Sequence, residues 1–332
     1  MIVSDGLFDL QVNGFAGIDF NDPTITAERL DVALAAMLRT GVTLCLPTLI
    51  TAYEAQLRDR ILALDAAVAG SRLGPAMVPG YHIEGPFLNP ADGFRGCHPA
   101  EAMTDPDPAL YRRLAEGLRR PILLVTLAPE RLGAAAAIRA LREAGICIAM
   151  AHSDASIRDV RAAVEAGMTM STHLGNGLPR TMHKTENALL AQLAEPGLVG
   201  CFIADGHHLS PEALGAMLRI KGVERSILVT DAVLAAAAPP GRYRFADMEV
   251  ERDGAGVVRQ PGAAHLAGSA LELDAAVRNV VAWGLATPEE AIRMASVNPR
   301  AVLAEAARAQ GVALPAGRVV WSDDLRPVEV TP

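Results

Sequence analysis

Short apolar runs alternate with longer Ala-, Leu- and Arg-rich stretches along most of this chain. The runs Leu7–Val12, Val42–Leu46, Met77–Ile83, Ile122–Leu127, Ile146–Ala151, Met168–Thr172, Leu198–Ile203 and Ile227–Thr230 read as strands. Helical stretches follow many of them, at Tyr53–Val68, Arg131–Ala144, Ser156–Ala166, Asn187–Ala194 and Pro211–Ile220. Alternating β and α units imply a parallel sheet. Eight of them in this length predict an α/β fold of the closed (β/α)8, TIM-like kind, although a doubly wound open sheet carries the same local pattern.

The pattern changes after the eighth run. Pro239-Pro240-Gly241 opens a stretch, Arg242–Ala267, in which polar and apolar residues alternate between Gly and Pro turns, as in a small β excursion. Helices resume near Ala270–Trp283 and Pro288–Ala295, and the tail from Leu314 to Pro332 is weakly patterned. No fixed-period repeat or low-complexity linker breaks the chain. The expected division is residues 5–238 for the barrel strands and helices, 239–268 for the excursion, 269–306 for the closing helices and 307–332 for the tail.

Composition narrows the function classes. The chain has 332 residues, 51% of them hydrophobic and 20% charged, enough apolar content for a large core and too much for disorder. The formal net charge is −8 with no basic run, which argues against nucleic acid or an anionic membrane as partner. Cys45, Cys97, Cys147 and Cys201 are far apart and form no C-x-x-C, so they read as reduced thiols of a cytoplasmic protein. Neither a signal peptide nor a membrane-spanning stretch is apparent.

Polar residues cluster where the apolar runs end. Glu84 ends Gly80-Tyr81-His82-Ile83-Glu84, His152 ends Ala149-Met150-Ala151-His152, His173 ends Met170-Ser171-Thr172-His173, and Asp231 ends Leu228-Val229-Thr230-Asp231. In a parallel barrel the strand C-termini meet on one face, so these four converge. Two imidazoles and a carboxylate make a three-ligand catalytic metal set with room for water, and the remaining carboxylate can serve as base. Taken singly, each histidine could be a satisfied strand-end residue and each acid a helix cap. Their matching positions favour a metal site. His98, His183, His207 and His208 fall in loops of that same face, where substrate contacts gather in this fold. For His183 and His207 a solvated loop position is as good a reading. His82, two residues before Glu84 on the same strand face, reads as structural, and His265 has no evident role. No nucleophile elbow, phosphate loop, H-E-x-x-H or dinucleotide fingerprint occurs.

With these residues in view, the chain resembles the N-acetylglucosamine-6-phosphate deacetylase family of the amidohydrolase superfamily. The matching segments run from about Asp5 to Ala304. They include Asp9-Leu10-Gln11-Val12-Asn13-Gly14, His82-Ile83-Glu84-Gly85-Pro86-Phe87-Leu88-Asn89, Val125-Thr126-Leu127-Ala128-Pro129-Glu130, Ala151-His152-Ser153, Thr172-His173-Leu174, Ala204-Asp205-Gly206, Val229-Thr230-Asp231 and Leu266-Ala267-Gly268-Ser269. The resemblance implies zinc or a similar divalent ion on Glu84, His152 and His173, with Asp231 as acid/base. It also implies substrate contacts from His98, which would donate to the carbonyl oxygen, and from Asn176, Gly177, Lys184 and Leu266. His208 joins them, a residue the family can supply across a homodimer. Gln11 and Asn13 stand where many amidohydrolases have H-x-H. Neutral amides are poor zinc ligands beside imidazole, so one metal is expected and not two.

Three departures from the family pattern bear on the expectation. The chain starts almost at the first barrel strand, so a small β subdomain reduced in its N-terminal half is expected. The tail reads Pro315-Ala316-Gly317-Arg318-Val319-Val320 in place of Gly-Lys-x-Ala-Asp-Leu. Lys184 stands where the family's His-Arg-Glu-Pro-Gly carries the Arg that helps hold a sugar phosphate, and Lys lacks the bidentate fork. The expected function is metal-dependent removal of acetyl from an N-acetylamino sugar, N-acetylglucosamine 6-phosphate first. One alternative is a deacylase of an unphosphorylated or different N-acyl substrate. Another is a non-catalytic sugar- or metal-binding protein on the same barrel, against which Asp231 argues.

Overall fold

Eight strands pair side by side, in parallel and in chain order. They are β1 (Leu7–Val12), β2 (Val42–Ile50), β3 (Tyr81–Glu84), β4 (Ile122–Leu127), β5 (Cys147–Met150), β6 (Met170–Ser171), β7 (Val199–Phe202) and β8 (Ser226–Leu228). The computed structural model describes residues 2–263 and 265–332. The two ends of the sheet also meet. Asp231 N donates to Gln11 O at 2.9 Å, Asn13 N donates to Ala232 O at 2.7 Å, and Val12 bridges Ala232 in parallel. The sheet is therefore a TIM-like barrel, and the doubly wound alternative is excluded.

Helices cover the outside of the sheet, and several begin where the sequence supplies a cap. Thr26, Asp107, Ser156, Asn187, Ser210 and Thr287 each accept a backbone N–H of the first turn. Helices Ala27–Arg39, Pro108–Ala115 and Val297–Ala309 are not distinguished by the apolar pattern alone. The last of these contains Pro299, which its first turn tolerates because no intrahelical N–H is needed there. Among the described residues no helix is long and apolar enough to cross a membrane.

Most strands differ from their expected bounds by a residue or two, β2 and β3 by four at one end, and proline explains both of the larger differences. β2 continues through Pro47 to Ile50, wholly buried, because the pairing with β1 shifts register just before Val12 meets Pro47. That irregularity absorbs the missing N–H. Conversely, the run expected as a strand from Met77 begins as a helical turn, Gly74–Met77, and pairing starts only at Tyr81, after Pro79-Gly80.

The tail is more ordered than its pattern shows. Arg318–Trp321 pairs antiparallel with both Pro327–Thr331 and Ile2–Ser4, giving a three-stranded sheet beside the barrel. Trp321 is fully buried there, its indole N–H donating to Ser4 Oγ at 2.8 Å.

The stretch after β8 forms a second small antiparallel sheet, Gly241–Phe245, Met248–Arg252 and Val258–Arg259. Phe245, Val250, Val258 and Ala267 pack with Ile50, Val233 and Leu234 in an apolar cluster separate from the main core. The hairpin turn is pinned to the barrel: Asp19 Oδ2 accepts from Ala246 N at 2.6 Å, and Arg60 Nη2 meets Asp247 Oδ2 at 2.6 Å. Burial raises the Asp19 carboxyl to about 6, although the N–H groups of Ala246 and Asn21 and the Arg60 charge favour the anion. A carboxyl whose pKa is raised by folding stabilises most when protonated, and this contribution fades as pH climbs from about 4 to about 6. An amide does not titrate, so the stability advantage of wild type over Asp19→Asn should shrink by roughly 3 kcal/mol between about pH 4 and about pH 7. Urea denaturation of both proteins at the two pH values checks this; a gap that holds constant or widens contradicts it.

Candidate metal and active site

Glu84 is the last residue of β3, while His152, His173 and Asp231 follow the ends of β5, β6 and β8 by two or three residues. The last three have left-handed backbones, with φ of 50°, 30° and 50°. A non-glycine residue so placed costs of order 1–3 kcal/mol, which the surroundings must offset. Hydrogen bonds lock each turn. His152 O accepts from Asn89 N at 3.0 Å, and His173 O accepts from Asn176 N at 3.0 Å. Asp231 O accepts from Ser269 N at 2.9 Å. Two glycines let the chain close around His152: a Cβ at Gly177 would lie 2.6 Å from its Nδ1, and one at Gly96 would lie 3.0 Å from its Cε1.

Four buried side chains, those of Glu84, His98, His152 and His173, come together beside these turns. Glu84 Oε1 lies 2.8 Å from His173 Nε2 and 3.6 Å from His152 Nε2, and Glu84 Oε2 lies 3.8 Å from His98 Nε2. The His152 ring is edge-to-face with both His98 and His173, at centroid distances of 4.6 and 4.8 Å. Ligand atoms of Glu84, His98 and His152 all lie within 4.8 Å of one another. His98, expected as a substrate contact, thus stands within the cluster.

The chemistry of this set fits a divalent ion. His152 Nδ1 donates to Phe94 O at 2.6 Å, which fixes the tautomer and leaves the Nε2 lone pair facing Glu84. His173 Nδ1 is buried without a hydrogen-bond partner, while its Nε2 meets Glu84 Oε1 at 2.8 Å. Burial pushes the His173 imidazole down, but the Glu84 hydrogen bond and charge outweigh it and leave it above its ordinary value. Burial raises Glu84, yet His152, the His173 hydrogen bond and the charges of the neighbouring imidazoles hold it well below the usual carboxylate range. A bound cation would take over that role, with the imidazoles neutral as metal ligands must be. His98 is pushed down to about 3 by burial and the neighbouring His152. Asp231 is raised to about 6 by burial and by the Glu84 charge, against His173, His208 and the Asn13 amide.

The amidohydrolase family profile matches residues 2–305. The chain belongs to the amidohydrolase family. It is 36% identical over 306 residues to N-acetylgalactosamine-6-phosphate deacetylase of Escherichia coli O157:H7, covering 89% of this chain and 76% of that protein. It is 32% identical over 321 residues to human N-acetylglucosamine-6-phosphate deacetylase, covering 91% and 74%. Its fold matches the Mycobacterium smegmatis N-acetyl-D-glucosamine-6-phosphate deacetylase in complex with N-acetyl-D-glucosamine-6-phosphate. The TM-score is 0.86 at 30% identity, over 99% of this chain and 85% of that one. This amidohydrolase is therefore an enzyme of C–N bond hydrolysis, from a metal-dependent family, and its Glu/His/His cluster can hold the metal.

The cavity of this amidohydrolase opens at that cluster. Asn13, Asn176, Gly177, His208, Asp231 and Leu266 line it together with Glu84, His98, His152 and His173. His208 lines the cavity of its own chain, held by Asp205 Oδ2 at 2.6 Å from Nδ1, so its place there needs no second copy. The Asn176 side chain donates to His173 O at 3.1 Å, so it also braces the turn. Lys184 does not line the cavity. It lies exposed on the loop between Asn176 and Asn187, and no Lys or Arg is among the described lining residues. His183 is also exposed, its Nδ1 accepting from Glu186 N at 2.9 Å, and exposed His207 meets Ala255 O at 3.2 Å.

Gln11 and Asn13 are engaged elsewhere. Thr172 Oγ1 donates to Gln11 Oε1, and Asn13 Nδ2 donates to Asp231 Oδ1 at 2.7 Å. Phe245 and His265 line the cavity unforeseen, because the excursion that carries them returns over the barrel mouth. Only the alternation of Arg242–Phe245 hinted at a buried face for Phe245. His82 sits one layer below the cluster, Nε2 2.8 Å from Thr126 Oγ1 and Nδ1 3.3 Å from Thr48 Oγ1. Burial lowers its pKa to about 4, so it is a neutral cross-link between strands. Replacing it strands the Thr126 hydroxyl. His82→Leu should cost about 1–3 kcal/mol of stability while metal content stays at the wild-type level. Denaturant titration with metal analysis checks both, and loss of metal at unchanged stability contradicts the structural role.

Proposed function

We propose that this amidohydrolase removes the N-acetyl group of an amino-sugar 6-phosphate, N-acetylglucosamine 6-phosphate or its galactosamine epimer, releasing acetate and the free amine. The observation that carries this reading is the Asp231 carboxylate, raised to about 6 and facing the same cavity as the histidine cluster. A group with that pKa is poised to alternate between base and acid near neutrality. Glu84, His152 and His173 would hold one divalent ion, zinc by the imidazole and carboxylate donor set, and it supplies Lewis acidity toward the amide carbonyl and the attacking water.

The chain's own residues account for the proton traffic. Asp231 takes a proton from water as the oxygen adds to the amide carbon, then delivers it to the nitrogen as the C–N bond breaks. Asn13 holds one Asp231 oxygen, leaving the other free for the proton. Thr51 Oγ1 lies 3.0 Å from His98 Nδ1. That hydroxyl has one hydrogen, which goes either to Glu84 O at 3.2 Å or to the ring; in the second arrangement His98 Nε2 would carry a hydrogen and donate it to the carbonyl oxygen as charge develops. His208, Asn176, Leu266 and the Gly177 backbone border the space for the sugar. The free cysteines fit a cytoplasmic protein.

The phosphate needs a cation, and among the described residues that line the cavity of one chain there is no Lys or Arg. Lys184, on its exposed loop, would reach the cavity of a second copy in a homodimer. The same lack of Lys or Arg favours the alternative of an unphosphorylated substrate, and turnover separates the two. The 6-phosphate should raise kcat/KM by roughly 10–100-fold over the plain sugar, as a charge-assisted contact does. Asp231→Asn should keep its metal and lose roughly 10²–10⁴-fold in rate. Equal turnover of both sugars overturns the phosphate assignment, and near-normal turnover by Asp231→Asn removes the base.

The homodimer has its own test. Lys184→Ala and Asp231→Asn, each impaired alone on the phosphorylated substrate, should regain activity when mixed. One of the hybrid sites then receives both wild-type side chains. Verified mixed dimers without recovery would place Lys184 outside the neighbour's site.

A further inference from the structure

β4 lies between β3 and β5 in the barrel, yet it contributes none of the four residues of the metal cluster. What it brings to the barrel mouth is Glu130, three residues past its end. This half-buried carboxylate gathers donors from both neighbouring loops. Its Oε1 accepts from Asn89 Nδ2 at 2.9 Å and from Asp154 N at 2.8 Å, and its Oε2 accepts from Ser153 Oγ at 2.6 Å. Asn89 is five residues past Glu84, and Ser153-Asp154 directly follow His152. The same two loops meet at Asn89 N and His152 O, 3.0 Å apart.

We propose that Glu130 is a positioning residue for the metal centre, a hydrogen-bonded clamp that fixes the spacing between Glu84 and His152 by tying their loops together. His152 needs such a clamp because its left-handed backbone is not one its own sequence favours. With the clamp released, the turn relaxes and the His152 ring no longer faces Glu84 at the distance a shared ion requires. The inference rests on Glu84 and His152 being metal ligands, as in the proposed function.

Glu130→Ala removes all three contacts. Glu130→Gln keeps them, since the amide oxygen accepts from Asn89 and Asp154 while the Ser153 hydroxyl rotates to accept from the amide. Affinity for Co2+ measured against a competing chelator, with the visible absorption of the bound ion, reads ligand geometry without reference to turnover. Glu130→Ala should weaken binding by roughly 10–100-fold and alter the spectrum, and Glu130→Gln should restore both to within a few-fold. Asn89→Ala, which cuts a single arm, should fall between them and serves if Glu130→Ala does not fold. A folded Glu130→Ala or Asn89→Ala with wild-type affinity and spectrum overturns the clamp, as does a folded Glu130→Gln as weak as the alanine variant. Failure of wild type to take up Co2+, or full uptake by His152→Ala, would instead overturn the ligand assignment.

Discussion

The hydrogen bonds that join β1 to the segment after β8 hold the reaction centre as well as the barrel. Three polar residues of the first strand segment, Asp9, Gln11 and Asn13, share one face because strand side chains alternate, and each makes a different long-range contact. Asp9 Oδ2 accepts from Thr230 Oγ1 at 2.5 Å, Gln11 accepts from Thr172, and Asn13 donates to Asp231. Burial lifts Asp9 to about 7 even with the Thr230 and Gln11 hydrogen bonds favouring its anion, so a costly group sits at this seam. The outcome is that Asp231 is fixed by the closure itself. A barrel that failed to close would leave the Asp231 carboxylate without its Asn13 anchor.

The site is assembled from strand ends that are individually strained. His152, His173 and Asp231 all turn left-handed just past their strands. That conformation swings each side chain over the barrel mouth instead of letting it continue the alternation of its strand. The glycines at 96 and 177 then admit the chain against the His152 ring, where any side chain would collide. Strain and close approach are affordable here because the layer beneath is rigid: His82 ties Thr48 to Thr126 with neutral hydrogen bonds, and apolar strand residues fill the rest.

The excursion after β8 gives the cavity its roof. Its hairpin tip is pinned by Asp19 and Arg60, so Phe245 and Leu266 border the cavity from a sheet with its own apolar cluster. The walls so formed carry histidines, amides and apolar groups but no permanent cation among the described residues.

Local patterning was enough to determine much of this. The β/α alternation is legible because buried parallel strands are apolar and the covering helices are amphipathic. Glu84, His152, His173 and Asp231 stand out because each is polar where an apolar run stops. The small sheet of Ile2–Ser4 with the tail was not legible, since its pairing joins residues some 317 positions apart and each strand is too short to carry a pattern. Nor were the place of His98 in the cluster, the reach of His208 into its own cavity and the grip of Glu130 on two loops. Loop residues carry no periodicity, and where their side chains point is set by turns, glycine contacts and hydrogen bonds that exist only once the barrel has closed. Sequence fixed which chemistry the strand ends could offer; tertiary structure alone decided how far apart those groups stand.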